Sequence, residues 1–128
     1  MALLVEGEDR RYIAELTANS LLSSSYLMKT ITDINPSIFY QGTLGGLPDI
    51  EKNLNKILQK THNQDILNIV DVIMPTNGWD YLKIAASNIH ILHANQLEAS
   101  NLTMENEPIR AVKTLNPVSY THLTLPTN

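Results

Sequence analysis

The 128-residue sequence has no cysteine, which excludes a disulfide framework and a thiolate metal site and agrees with a reducing compartment. It has no apolar run of the length a membrane span needs, and the opening Met1–Val5 is soon interrupted by Glu6, too early for a signal sequence. Basic residues are few and scattered: nine Lys and Arg against thirteen Asp and Glu give a formal charge of -4, and no stripe for duplex nucleic acid forms. Repeats and low-complexity segments are also lacking. A cytoplasmic globular protein is therefore expected, and 43% hydrophobic residues are enough for one packed core.

The segment Val118–Asn128 stands apart. Its first ten residues can be spelled GTC TCT TAT ACA CAT CTG ACG CTG CCG ACG, which is similar to the mosaic-end adapter used in transposon-based library preparation. Pro117 fits as the join, because the adapter bases CT complete a proline codon. The expectation is a non-native tail over 118–128 after a partial domain over 1–117, so that Tyr120, His122 and Pro126 carry no functional information.

Within residues 1–117, Ala2-Leu3-Leu4-Val5 suits a strand stopped by Glu6-Gly7. From Asp9, helical spacing of Tyr12, Ile13, Leu16 and Ala18–Leu22 predicts an amphipathic helix to about Ser23 that Ser23-Ser24-Ser25 ends or loosens. Ile31–Tyr40 mixes β-branched and aromatic residues around Pro36, and Gly42–Gly46 is the most glycine-dense turn. Pro48 and Asp49 open a helix whose apolar stripe is Ile50, Leu54, Ile57 and Leu58. Ile66–Met74, short, rich in Ile and Val and cut off by Pro75, reads as a buried strand. Its apolar spacing also fits a helix. Trp79–Ser87 predicts a helix with Trp79 as a core anchor, and Ile89–Leu92 either a further strand or the continuation of that helix through Leu97. The order β-α-β-α-β-α-β implies an α/β fold with a mostly parallel sheet and flanking helices; the alternative is an all-α interaction protein whose acids lie on the surface.

Parallel sheets place their sites beyond the carboxyl ends of their strands. Two such ends carry acids, Glu6 with Glu8 and Asp9, and Asp71. Carboxylates converging there would suit Mg2+, a hard cation bound through oxygen. Glu8 and Asp9 also suit the start of a helix, where negative charge complements the macrodipole. Leu4-Val5-Glu6-Gly7 followed by Asp9 and Arg10-Arg11-Tyr12, the Gly45-Gly46 turn entering a helix, and Ile69-Val70-Asp71 together resemble the TOPRIM domain of overcoming-lysogenization-defect nucleases over about residues 2–93. The resemblance implies Mg2+-dependent phosphodiester chemistry on nucleic acid, with Glu6 as acid/base and Asp71 and Asp9 at the metal. Ile73 stands where the family has a second aspartate, so the resemblance extends to a degenerate, non-catalytic relative.

A second resemblance covers the same residues. Asp71-Val72-Ile73-Met74-Pro75 with Asn77-Gly78-Trp79, and the acids behind Leu3-Leu4-Val5, are similar to response-regulator receiver domains, which would make Asp71 a phosphoacceptor. His90 and His93 share a face only on a helix; in a strand they oppose one another, and structural or surface roles are expected. Gly42–Gly46 lacks the Lys-Ser/Thr ending of a P-loop and reads as a turn needing positive φ.

Overall fold

In the computed structural model, which describes residues 2–3, 11–12, 15–73, 78–115 and 120–124, the longest helix forms where the amphipathic stripe is cleanest. Pro48 occupies its first turn without loss of a hydrogen bond, and Asp49 and Glu51 complement the amino-terminal dipole. Helix α2 (Pro48–His62) turns Ile50, Leu54, Ile57 and Leu58 inward, all four fully buried. Burial of each such side chain contributes roughly 1.5–3 kcal/mol, so this stripe anchors the core.

The remaining elements are β1 (Ala2–Leu3), β2 (Arg11–Tyr12), α1 (Ser24–Ile34), β3 (Ile38–Leu44), β4 (Leu67–Val72), α3 (Asp80–Ala85), β5 (Ile91–Asn95), α4 (Gln96–Thr103), α5 (Pro108–Thr114) and β6 (Tyr120–Thr124). Strands β3-β4-β5-β6 form one sheet in that order, every neighbouring pair parallel. The α/β reading of the sequence thus holds, and Ile66–Met74 supplies a strand; the all-α alternative does not survive.

Three expectations need correction. The apolar run at Ala2 does not begin the parallel sheet: β1 pairs antiparallel with β2 in a separate two-stranded sheet. The helix expected from Asp9 to Ser23 is also replaced, by β2 at Arg11–Tyr12 and a single 3-10 turn at Ala18–Leu21. The serines start a helix where an end was expected. Ser23 lies in extended backbone and its hydroxyl accepts from the Tyr26 N–H at 3.2 Å, a side-chain cap that favours Ser at this position. Asp49 adds a tether across helices, its Oδ2 accepting from the Ser24 N–H at 2.7 Å.

Period-two alternation sorts the sheet. Phe39, Gln41, Asn68, Val70, Val72, Leu92 and Ala94 are buried, whereas Ile38, Tyr40 and Leu67 on the opposite face are exposed. All five helices contribute side chains to the one core on the buried face, from Ile31 of α1 to Ala111 of α5. Among the described residues the helices therefore flank one side of the sheet and leave the other open. Asn68 is the polar centre of the buried side. Its amide Nδ2 donates to the Leu58 carbonyl at 3.0 Å and the Asn88 carbonyl at 2.8 Å, joining β4 to α2 and to the 3-10 turn after α3.

Strand β6 lies within the segment expected to be adapter-derived. It pairs with β5 over Ile91↔Tyr120 to Asn95↔Thr124. A parallel ladder is made of main-chain groups, so this pairing is compatible with a segment of foreign sequence. Among the described residues, no helix is long and apolar enough to cross a membrane.

Candidate functional site

On the open face, the register of two parallel strands sets Asp71 of β4 directly beside His93 of β5. Alternation explains why both point outward: their neighbours Val70, Val72, Leu92 and Ala94 are buried in the core. The imidazole Nδ1 lies 2.7 Å from Asp71 Oδ1. A carboxylate only accepts, so Nδ1 carries the hydrogen and the basic nitrogen of the neutral ring is Nε2. Both groups are partly wetted, with side chains 25% (Asp71) and 42% (His93) exposed, so the pair is accessible to a solute and adds little to stability.

Tyr40 comes from β3 and completes the second oxygen: its hydroxyl donates to Asp71 Oδ2 at 3.1 Å. Local desolvation of the hydroxyl foremost, and then the Asp71 hydrogen bond and charge, push the Tyr40 phenol above its usual range although the side chain as a whole is exposed. The phenol is held by the shape of its strand. Between Gln41↔Val70 and Leu44↔Val72, β3 advances three residues while β4 advances two, a bulge of the kind that re-aims side chains near functional sites. Gly42 lies in the bulge, and a Cβ there would meet the Tyr40 ring at 2.7 Å. The missing side chain leaves room for that ring.

A fourth group arrives without a loop. Asn95 both ends β5 and caps α4, its side chain accepting from the Glu98 N–H at 2.8 Å while Glu98 Oε2 accepts from the Asn95 N–H at 2.7 Å. This capping box ties the Glu98 carboxyl within electrostatic reach of Asp71 and His93. Burial first, then the Asp71 charge, raise its pKa, while the Asn95 N–H and His93 oppose that rise.

Of the residues expected to form the site, Asp71 stands where the sequence placed it, near the carboxyl end of an inner strand. Glu6 and Asp9 lie outside the described residues. Ile73, where the TOPRIM resemblance would set a second aspartate, is 51% exposed and continues the ladder through its N–H to the Leu44 carbonyl at 3.0 Å. The neighbour of Asp71 is instead an imidazole from the next strand. Among the described residues, no three His, Asp or Glu side chains gather closely enough to hold a metal ion, and both Asp71 oxygens already accept hydrogen bonds. Mg2+ favours several oxygen ligands in octahedral geometry, so the described side chains alone do not fit it.

His93, Tyr40 and Glu98 were not singled out by sequence as site residues. The Asn95-x-x-Glu98 spacing was a readable capping signal, but the partnership of His93 with Asp71 depends on strand register. His90 takes the structural role expected of it: its Nδ1 accepts from the Asn68 N–H at 2.9 Å, and its ring stacks on His62 at a centroid distance of 5.2 Å. Trp79 packs against the core as anticipated. The turn expected over Gly42–Gly46 is confined to Gly45 and Gly46, since residues 42–44 belong to β3; Gly46 has φ +84°, the positive value expected, and Leu16 lies where a Cβ would project. Neither a protein-family model nor a curated protein matches this chain, and the chemistry of the site rests on its own side chains.

Proposed function

We propose that the Asp71–His93 pair is the acid–base centre of a cytoplasmic hydrolase acting on nucleic-acid phosphodiesters. The observation that carries the reading is the 2.7 Å contact between Asp71 Oδ1 and His93 Nδ1 on an open sheet face. Substrate lies on that face, near the carboxyl ends of β4 and β5. Asp71 orients the imidazole, with Tyr40 holding the carboxylate. His93 Nε2 removes a proton from water as its oxygen bonds to phosphorus. The bond from phosphorus to the leaving oxygen breaks, and Glu98, which keeps its proton to a higher pH than an ordinary glutamate, returns a proton to that oxygen. The cysteine-free composition supports the cytoplasmic assignment.

General acid–base assistance contributes about 10²–10⁴-fold to such a reaction. Hydrolysis of bis(4-nitrophenyl) phosphate by the full chain should therefore fall by about 10²-fold or more in His93→Gln and in Asp71→Asn, with circular dichroism unchanged. Wild-type turnover indistinguishable from that of both variants would refute the reading and leave a non-catalytic relative of the fold.

A Mg2+-dependent version of this chemistry is the second reading, favoured by the place of Asp71 near the carboxyl end of an inner parallel strand. It requires Glu6 as the acid/base and Asp9 as a further metal ligand beside Asp71, as the TOPRIM resemblance implies. In that case EDTA abolishes hydrolysis and Glu6→Gln is as damaging as Asp71→Asn. The metal-free centre is insensitive to both.

A further inference from the structure

The two faces of β5 lead to different places. His93 faces the open side, but Leu92 next to it lines an apolar cavity of about 300 Å3 on the helix-covered side. The cavity is bounded by Leu82 and Ile89 around α3, Leu92 of β5, Leu102 of α4 and Leu115 after α5. These side chains are buried and belong to the common core. The cavity opens to solvent at one side, and its apolar wall offers water few hydrogen-bonding partners, so this volume suits an apolar guest. Its size falls at the lower end of small-ligand pockets, roughly 300–1,000 Å3.

Two features of the mouth narrow the guest. Met104 caps α4 in left-handed backbone at φ 62°, an uncommon conformation for a residue with a side chain, and is 83% exposed at the cavity rim. A flexible thioether held in that position is an adaptable lip for an aliphatic chain. Lys83 supplies the only charge among the described lining residues; its ammonium lies 3.5 Å from Asp80, an exposed pair that a ligand anion can displace at little loss. We propose that this cavity binds a medium-chain carboxylate, the aliphatic tail against Leu82, Ile89, Leu92 and Leu102 and the carboxylate at Lys83. The site is separate from the Asp71–His93 centre and does not depend on its activity.

Methyl-resolved NMR titration of the full chain with octanoate and with octanol tests the assignment. Octanoate should produce saturable shifts in the methyls of Leu82, Ile89, Leu92 and Leu102 and leave those of Ile69 and Ile91, on the open face, in place. Octanol should bind the same methyls about two- to fivefold more weakly, the difference an exposed ion pair provides. Lys83→Met should reduce octanoate to the affinity of octanol and leave octanol unchanged. Ala86→Leu, which fills the cavity, should weaken both probes while Ile69 and Ile91 keep their shifts as evidence of an intact sheet. Absence of saturable shifts with both probes, shifts centred on the open face, or an octanoate affinity unaltered by Lys83→Met would each overturn the proposal.

Discussion

Replacing Asn68 with alanine removes the polar group that ties three elements together. Asn68 is fully buried, and its amide donates to Leu58 of α2 and to Asn88 beyond α3, while its backbone N–H reaches His90. Alanine preserves the backbone bond and removes both amide bonds. The Leu58 carbonyl keeps the Thr61 hydroxyl, 2.9 Å away, so the heavier loss falls on Asn88. Two lost hydrogen bonds amount to about 1–3 kcal/mol net, with a small further loss from the vacated volume. Part is offset, because Asn68 Oδ1 is buried without a hydrogen-bond partner among the described residues and alanine eliminates it. The net expectation is a destabilisation of about 1–2 kcal/mol, which lowers Tm by on the order of 5 °C and shifts the urea midpoint by roughly 1 M.

Urea unfolding followed by circular dichroism measures this change, with unaltered m confirming a stability effect. Asn68→Asp sharpens the test. It preserves the volume but, when ionised, offers only acceptors to two carbonyls, so at neutral pH it should be less stable than the alanine variant and should recover as the pH falls and one oxygen regains a hydrogen. A loss in Asn68→Ala below about 0.5 kcal/mol, the range of an ordinary surface substitution, or an aspartate variant as stable as wild type at neutral pH, would refute the tying role.

Other expectations concern titration and the shape of β3. The Ser24 N–H bond holds the Asp49 carboxyl below its usual value of 3.8, so its stabilisation is fully present above that value and is lost as pH falls through the folded-state pKa. Urea midpoints of Asp49→Asn and wild type should therefore differ at neutral pH and converge in strong acid. Glu98 has the opposite sign: its pKa is raised from 4.5, so its unfavourable contribution develops as pH rises through that value towards the folded-state pKa. Glu98→Gln should unfold later than wild type at neutral pH, and the gain should vanish in acid. Tyrosinate absorbance should show Tyr40 ionising at lower pH in Asp71→Asn, because the negative charge that helps hold its proton is gone. Gly42→Ala should shift Tyr40 in the same direction by displacing its ring, and an unchanged alkaline titration in that variant would contradict the role given to the bulge.

The parts of this protein that were legible in its sequence are those decided within one element. Pro48, the first-turn acids and the stripe from Ile50 to Leu58 defined α2 because a helix organises its own hydrogen bonds and sorts its faces by a local period. The Ile and Val run before Pro75 favoured β4 and set Asp71 late in it, and the observed strand turns Asp71 away from the buried Val70 and Val72. Ser23-Ser24-Ser25 was read with the wrong polarity because serine both interrupts a helix interior and caps a helix start, and only the helix running from Ser24 to Ile34 selects the second role. The partnership of Asp71, His93 and Tyr40 lay beyond any local period. These residues are separated by 22 and 31 positions, and they meet only because the parallel register aligns β4 with β5 and the bulge at Gly42 aims β3 across them. Sequence alone determined the buried face of α2, the strand before Pro75 and one carboxylate near its end; tertiary structure decided which side chains surround that carboxylate, since strand register is a property of the packed sheet.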